Sequence, residues 1–391
     1  MIARLMFCLG VAALPMFVTG ASAGGLELRV IGEETTVYSW SRQRCETWDV
    51  PDAPTRAMRA ADGSLRLLIS HFVTRSMVGS SFRTLAHACE PLFTGGRNDD
   101  PDAFDDRLWL TSLWTDDGRT VHGLAHAEYH GQHRPHVCPA AAYLPCWNNA
   151  VVQVVSRDGG RTFSRDGGPQ RAPVATLPWR YDAAQGRPTG YFSPSNIIAW
   201  RGHLYVFVFA AASGAQARGA CLLRTDRIED PQAWRAWDGR DFTIDFANPA
   251  IAAIDDVTRH VCQPVPGLPA AVGSVVRRAG KDQFIAIFAG RLRLAGEPRP
   301  QRGIFWALSE DLLQWSPPRL LHAVATFGAH DCGDLAVYSY PSLIDEESPS
   351  RNFDSVGATA SLYLTRSNPQ KCQITADRDL VRLPIAIIDI P

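Results

Sequence analysis

The chain has 391 residues, 39 Lys and Arg against 40 Asp and Glu, and a net charge of -1. That balance excludes a broad electrostatic footprint for nucleic acid or an anionic membrane, so the expected partner is small or neutral. The length admits two or three domains, although all-β folds also run this long as one.

The N-terminus sets the compartment. Arg4 is followed by an apolar run from Leu5 to Val18 and by the small residues of "TGASAGG", with a predicted cut after Ala23. This reads as a secretory signal peptide over residues 1–23. The run is shorter than the roughly 18 to 20 residues that span a bilayer, so the mature chain is expected to be secreted or periplasmic, without membrane association. No compositional break marks a linker, and residues 24–391 are read as one domain.

A degenerate repeat follows. Its first half is a polar or Pro-containing approach, a strand, a Gly turn and a second apolar strand, as in "DAPTRAMRAADGSLRLLISHF", "SPSNIIAWRGHLYVFVFA" and "GSVVRRAGKDQFIAIFAG". Its second half is an apolar strand ending in a polar hairpin, as in "AVVQVVSRDGGRTFS" and "GIFWALSEDLLQWSPPRLL". Short β-branched and aromatic runs punctuated by Gly, Asp, Asn and Pro predict an all-β fold. The first halves start near Asp49, Asp105, Ser193, Gly273 and Tyr340. This pattern predicts a five-bladed β-propeller with four antiparallel strands per blade and about 40 to 50 or more residues in each. A β-sandwich or two smaller β domains is the competing architecture. Segments 92–104, 131–146, 164–190 and 291–302 are predicted loops.

Nine cysteines are present, and Cys8 leaves with the leader. An even set in an oxidising compartment predicts disulfides, and the spacing suggests neighbour pairing: Cys45 with Cys89, Cys138 with Cys146, Cys221 with Cys262, Cys332 with Cys372. Zinc is disfavoured, because there is no C-x-x-C and no H-x-x-x-H beside a cysteine.

Ser156-x-Asp158-x-Gly160-x-Thr162-Phe163 resembles the Asp box of sialidase-like propellers, S-x-D-x-G-x-T-W, with Phe in the Trp position. An Asp at such a tip accepts bonds from turn N–H groups, Gly permits positive φ, and the aromatic packs between sheets. "SEDLLQW", Ser309 to Trp315, resembles the hairpin of five-bladed arabinanase- and xylosidase-type glycoside hydrolases. That resemblance implies an inverting hydrolase acting on a glycan through a carboxylate acid and base, with no cofactor. It implies a blade-one Asp as general base, matched by Asp52 or alternatively Asp49, and a second Asp that tunes the acid at the start of blade two, where Asp105 and Asp106 stand. The family's acid Glu is missing from blade three, where "GYFSPSNIIAW" offers Ser193, Ser195 and Asn196.

Residue patterning supplies a substitute. His126, Glu128 and His130 alternate in "LAHAEYHG", so on a strand all three share a face. Ionisable groups there are costly to bury without a purpose, which makes Glu128 the candidate acid with a His or Arg orienting it. The same trio could instead hold a first-row metal, or be a solvated edge. Arg56, His71, Arg75, His126, His130, Asn196 and Tyr340 are candidate substrate contacts, and no metal site is assigned. Tyr338 or Tyr340 resembles the late tyrosine nucleophile of sialidases, but no arginine triad accompanies it. Trp40, Trp48, Trp147 and Trp179 are candidate sugar platforms. Two alternatives to a glycosidase remain open: a non-catalytic carbohydrate-binding propeller, and a sialidase-like or metal-dependent hydrolase.

Overall fold

The computed structural model describes residues 25–134, 138, 144–165 and 173–390. The expected leader, 1–23, and parts of the predicted loops 131–146 and 164–190 lie outside the described residues. The described residues are nearly all β, with a single α-helical turn among them at Trp40–Gln43. Among the described residues no helix is long and apolar enough to cross a membrane.

The strands form four sheets. The first is a consecutive antiparallel set, Ala57–Arg59, Leu65–Ile69, Val73–Gly79 and Ala86–Thr94. The second has nine strands in two antiparallel stretches. Arg107–Trp114, Val121–His130 and Trp147–Ser156 form one, and Ile198–Trp200, His203–Ala210, Gly219–Thr225, Arg235–Trp237 and Phe242–Ile244 form the other. Thr189–Phe192 joins them, parallel to one and antiparallel to the other. The third runs through Val272–Arg278, Phe284–Leu292, Gln301–Ser309 and Arg319–Ala323, with Ser355–Val356 at its margin. The last contains Val337–Ile344, Thr359–Ser367 and Arg378–Ile390. Gly25–Val30 and Thr35–Tyr38 both pair with Arg378–Ile390 and complete it, Gly25 opposite Ile390, so the two ends of the described chain share one sheet.

Continuous apolar runs arise because these sheets are covered on both faces. In "FIAIF", Phe284, Ala286 and Phe288 pack with Phe207 and Leu222, while Ile285 and Ile287 pack with Leu343 and Leu362. In His203–Ala210 the alternation recurs, Phe207 facing the first group and Val206 and Val208 joining Tyr191 and Trp234. Successive side chains of a strand point to opposite faces, so each run serves two cores.

Polar side chains near the strand starts tie each antiparallel stretch to the next. Ser70 Oγ donates to Leu110 O at 2.6 Å, and Ser112 Oγ donates to Ser195 O. Asn196 exchanges two bonds with the Val275 backbone at 2.7 and 2.8 Å, and Ser274 Oγ accepts from Leu343 N at 2.8 Å. Thr365 Oγ1 donates to Pro51 O at 2.7 Å, which returns the circuit to the segment before the first sheet.

Arg56 stands inside that circuit. Its Nε donates to Thr111 O at 2.7 Å, Nη1 to Ser342 Oγ at 3.1 Å and Thr55 O at 3.2 Å, and Nη2 to Gly273 O at 2.8 Å and Pro194 O at 3.4 Å. One guanidinium therefore touches a residue from every stretch, using all five of its N–H groups.

The hairpin tips explain the repeated Asp. Asp158 accepts from Arg161 N and Thr162 N at 2.9 and 3.0 Å and from Thr162 Oγ1 at 2.7 Å, while Ser156 Oγ accepts from Gly160 N at 2.8 Å. Gly160 takes φ 78°, and Phe163 is buried with Leu92 and Leu110. Asp311 does the same for Leu313 N and Gln314 N at 2.9 and 2.7 Å. The four cysteine pairs are those expected from spacing.

Candidate functional site

One face of the Val121–His130 strand carries the polar cluster. His126, Glu128 and His130 all emerge there, each less than a tenth exposed. Antiparallel pairing sets Arg107 and Asn149 on either side of Glu128, and Trp109 beside His126. His130 Nε2 lies 2.7 Å from Glu128 Oε2, and His126 Nδ1 lies 3.5 Å from Glu128 Oε1. His126 Nε2 bonds Asn149 Oδ1 at 2.8 Å, and Asn149 Nδ2 donates to Thr189 O at 2.9 Å. Arg107 Nη1 bonds His130 Nδ1 on that ring's other side. Behind it, Asp106 accepts from His130 N at 2.9 Å and pairs with Arg134 at 3.0 Å.

Asp52 approaches the same region from the segment before the first sheet. It pairs with Arg378, accepts from the Tyr340 hydroxyl at 3.3 Å and lies 3.7 Å from His71 Nε2. Tyr340 lies within electrostatic reach of both Asp52 and Glu128. Aromatic rings wall it: His71 stacks on Trp48 at 5.8 Å and meets Trp109 edge-on, while Trp147 and Phe192 close around His126. Trp48 is half exposed.

Burial governs the electrostatics. It pushes His71 down to about 4 against the opposing Asp52 charge. It pushes His130 down to about 3, helped by Arg107, and lowers His126 as well, with Glu128 opposing. Burial thus favours the uncharged form of each of these rings. Burial, reinforced by Asp52, raises Tyr340 well above the usual phenol range. Tyr340 and Ser193, each preceding a proline, take φ 55° and 46°. Such left-handed backbone at non-glycine residues costs about 1–3 kcal/mol and concentrates at functional sites. A cavity of about 230 Å³ opens beside Tyr340, bordered by Pro54, Ser193 and Phe327.

Other expected residues have framework partners. Asp49 is buried, bonded to His87 Nε2 at 2.7 Å and Cys45 N at 2.8 Å; burial raises its carboxyl, but the His87 and Cys45 bonds bring it below the usual range. Asp105 accepts from Gly96 N at 2.9 Å. Arg75 donates to Cys89 O and pairs with Glu46, both at 2.8 Å. Asn196 is spent on the Val275 backbone, and Arg56 has no N–H left for a ligand. Trp40 donates to Thr47 O beneath the Arg44 guanidinium, and Trp179 packs on an interior cluster.

Among the described residues, potential metal donors gather at Cys45, Asp49 and His87. Cys45 is spent in its bridge with Cys89, so the thiolate that a soft metal would require is gone.

Sequence reasoning missed Arg107, Trp109, Asn149, Phe192 and Arg378. Arg107, Trp109 and Asn149 become visible once the register around Glu128 is fixed. Arg378 gave no signal, since it opens the last strand, 326 residues from its partner.

No family model matches the sequence, and no curated protein matches it. Among solved structures, the protein is similar to the Cellvibrio cellulosa alpha-L-arabinanase complexed with arabinohexaose, at 11% identity and TM-score 0.45 over 83% of this protein and 91% of that one. It is similar to a GH62 hydrolase in complex with xylotriose, at 7% identity and TM-score 0.45 over 89% and 95%. It is also similar to BT0996 in its RGII complex, at 8% identity and TM-score 0.50 over 89% and 91%. At these identities the likeness concerns the fold alone.

Proposed function

We propose that the protein is a secreted glycoside hydrolase, a five-bladed β-propeller in which Glu128 is the general acid and Asp52 the general base. The observation that carries this reading is a pair of carboxyl groups near Tyr340: Asp52 accepts from its hydroxyl, and Glu128 stands within electrostatic reach of it. The circuit of inter-sheet bonds around Arg56 supports five blades about one axis, and the Ser156 and Ser309 hairpins support the resemblance to Asp-box and arabinanase-type propellers. Four disulfides are compatible with export.

The chemistry follows from the two carboxyl environments. Glu128 gives its proton to the leaving glycosidic oxygen as the anomeric C–O bond breaks. Asp52 takes a proton from a water that forms the new C–O bond on the opposite face, and solvent returns the proton to Glu128. Inversion of this kind places the carboxyl groups about 6.5 to 9.5 Å apart. Arg378 pairs with the ionised base, and Trp48 offers an exposed ring for sugar stacking. Asp49, Asp105, Arg56, Arg75 and Asn196 take framework roles. A sialidase-like reading with Tyr340 as nucleophile draws on its bond to Asp52. The raised phenol makes it a donor to Asp52 rather than an attacking phenolate.

The test is hydrolysis of aryl glycosides and of arabino-, xylo- and galacto-oligosaccharides by wild type, Glu128→Gln and Asp52→Asn. Each substitution should cost about 10²- to 10⁴-fold in kcat. Wild-type activity that survives both changes would remove this assignment.

A further inference from the structure

The arginines around the candidate site differ in how their charge is met. Arg75 pairs with Glu46, Arg134 with Asp99 and Asp106, and Arg378 with Asp52. Arg97 and Arg107 form no ion pair among the described residues. Both instead lie against the Phe72 ring, at 5.4 and 5.8 Å from its centre, and Arg107 Nη1 also donates to His130 Nδ1. Cation–π contact holds a guanidinium in place but does not neutralise it, and the N–H groups not spent on His130 have no protein partner among the described residues.

Local structure brings these two cations together. Arg97 N donates to Asp106 O at 3.0 Å and Asn98 N to Asp105 O at 2.8 Å, so residue 97 runs alongside the start of the Arg107–Trp114 strand. Arg97 is exposed and takes φ 55°, a left-handed position that those two bonds hold. Arg107 is half-buried and lies opposite Glu128 in the strand register, which sets both side chains on one face. Phe72 meets Trp109 edge-on at 6.1 Å, and Trp109 lies 6.2 Å from both the His126 and the His130 rings. The two arginines therefore stand at the margin of the cluster that holds Glu128.

We propose that Arg97 and Arg107 form an anion subsite, and that the glycan taken at this site carries a uronic acid whose carboxylate they bind. The planar guanidinium fork matches the two oxygens of a carboxylate, and a neutral sugar would leave two like charges facing each other across one ring. With a net charge of -1, the chain has no general attraction for an acidic polymer, so the preference resides in this pair. That the bound glycan is cleaved rests on the hydrolase reading above, whereas the charge preference rests on the arginines.

Titration calorimetry at neutral pH with trisaccharides of galacturonic and glucuronic acid, each beside its neutral galactose or glucose counterpart, tests the subsite, and chromatography of each mixture reports cleavage. At least one acidic trisaccharide should bind about tenfold or more tightly than its neutral counterpart, and the preference should shrink as salt screens the charges. Arg97→Gln should lose about tenfold in affinity for the acidic ligand and none for the neutral one, with Arg97→Lys between it and wild type. Arg107→Gln should weaken acidic binding to a similar degree. Equal binding of acidic and neutral trisaccharides by wild type overturns the proposal, and so does acidic binding that both substitutions leave unchanged. Tighter binding of a sulfated galactose trisaccharide than of either uronate overturns the carboxylate assignment. Selective binding of a uronate in a protein that cleaves no glycoside sustains the subsite and removes only the hydrolase reading. Cleavage of neutral glycosides that Glu128→Gln abolishes, without any preference for the acidic ligands, does the reverse.

Discussion

The Tyr340 hydroxyl donates to Asp52 Oδ1 at 3.3 Å, joining residues 288 positions apart in the chain. Tyr340 holds this contact from a left-handed backbone position immediately before Pro341, a conformation that the surrounding strand pairing must enforce. The phenol thus helps Arg378 orient the proposed base. Tyr340→Phe removes one hydrogen bond and leaves the ring, so kcat/KM should fall about five- to tenfold, the equivalent of about 1 kcal/mol, with KM little changed. Steady-state kinetics on the best glycoside checks it, and an unchanged kcat/KM would refute an orienting role.

Arg56 is expected to act on stability rather than on substrate. Arg56→Met fills much of the space but leaves Thr111 O, Gly273 O and Pro194 O without donors at the centre of the sheets. Each buried unsatisfied group costs about 1–3 kcal/mol, so a loss of at least about 3 kcal/mol is expected in denaturant unfolding. A variant as stable as wild type would show that water replaces the guanidinium.

Acid stability should depend on the neutral histidines. In the unfolded chain a histidine gains its proton near 6.5, whereas folded His71 does so only near 4. The unfolded state therefore binds more protons as pH falls through this window, and stability decreases from about 6.5 down to about 4, levelling below it. His71→Gln should flatten the slope by up to about 1.4 kcal/mol per pH unit, read from urea unfolding at several pH values. Parallel curves for wild type and variant would contradict the assignment.

Asp158 sets a second, lower window. Burial raises its carboxyl, but the Ser156 and Thr162 bonds outweigh this and bring it from 3.8 to about 2. A carboxyl depressed in the folded state contributes stability above its unfolded value, and loses it as pH falls from about 3.8 through about 2. Asp158→Asn should remove this dependence and lower the melting temperature at neutral pH. Melting curves at pH 5, 3.5 and 2, relative to wild type, decide it.

The positions of the strands were legible because turn chemistry and apolar alternation are local. The starts predicted near Asp49, Asp105, Ser193, Gly273 and Tyr340 precede or enter strands at Ala57, Arg107, Ile198, Val272 and Val337. The cysteine pairs were legible from spacing, and His126, Glu128 and His130 from the two-residue period of a strand. What escaped was everything set by register or by chain closure. Asn149 and Arg107 flank Glu128 only through the pairing of three strands, and Gly25–Val30 finds its partner at the far end of the chain.

The sequence by itself determined an all-β chain, the hairpin tips at Asp158 and Asp311 and one face bearing Glu128 between two histidines, and it suggested the disulfide partners. Those follow from φ/ψ preferences and from side chains within a few residues, or from cysteine spacing. The tertiary structure alone decided that Asp52 meets Arg378 and Tyr340 while Asp49 is bonded to His87, and that Arg56 is an internal tie. These contacts join segments separated by most of the chain, and burial gives each its consequence by removing the water that would otherwise satisfy every one of those groups.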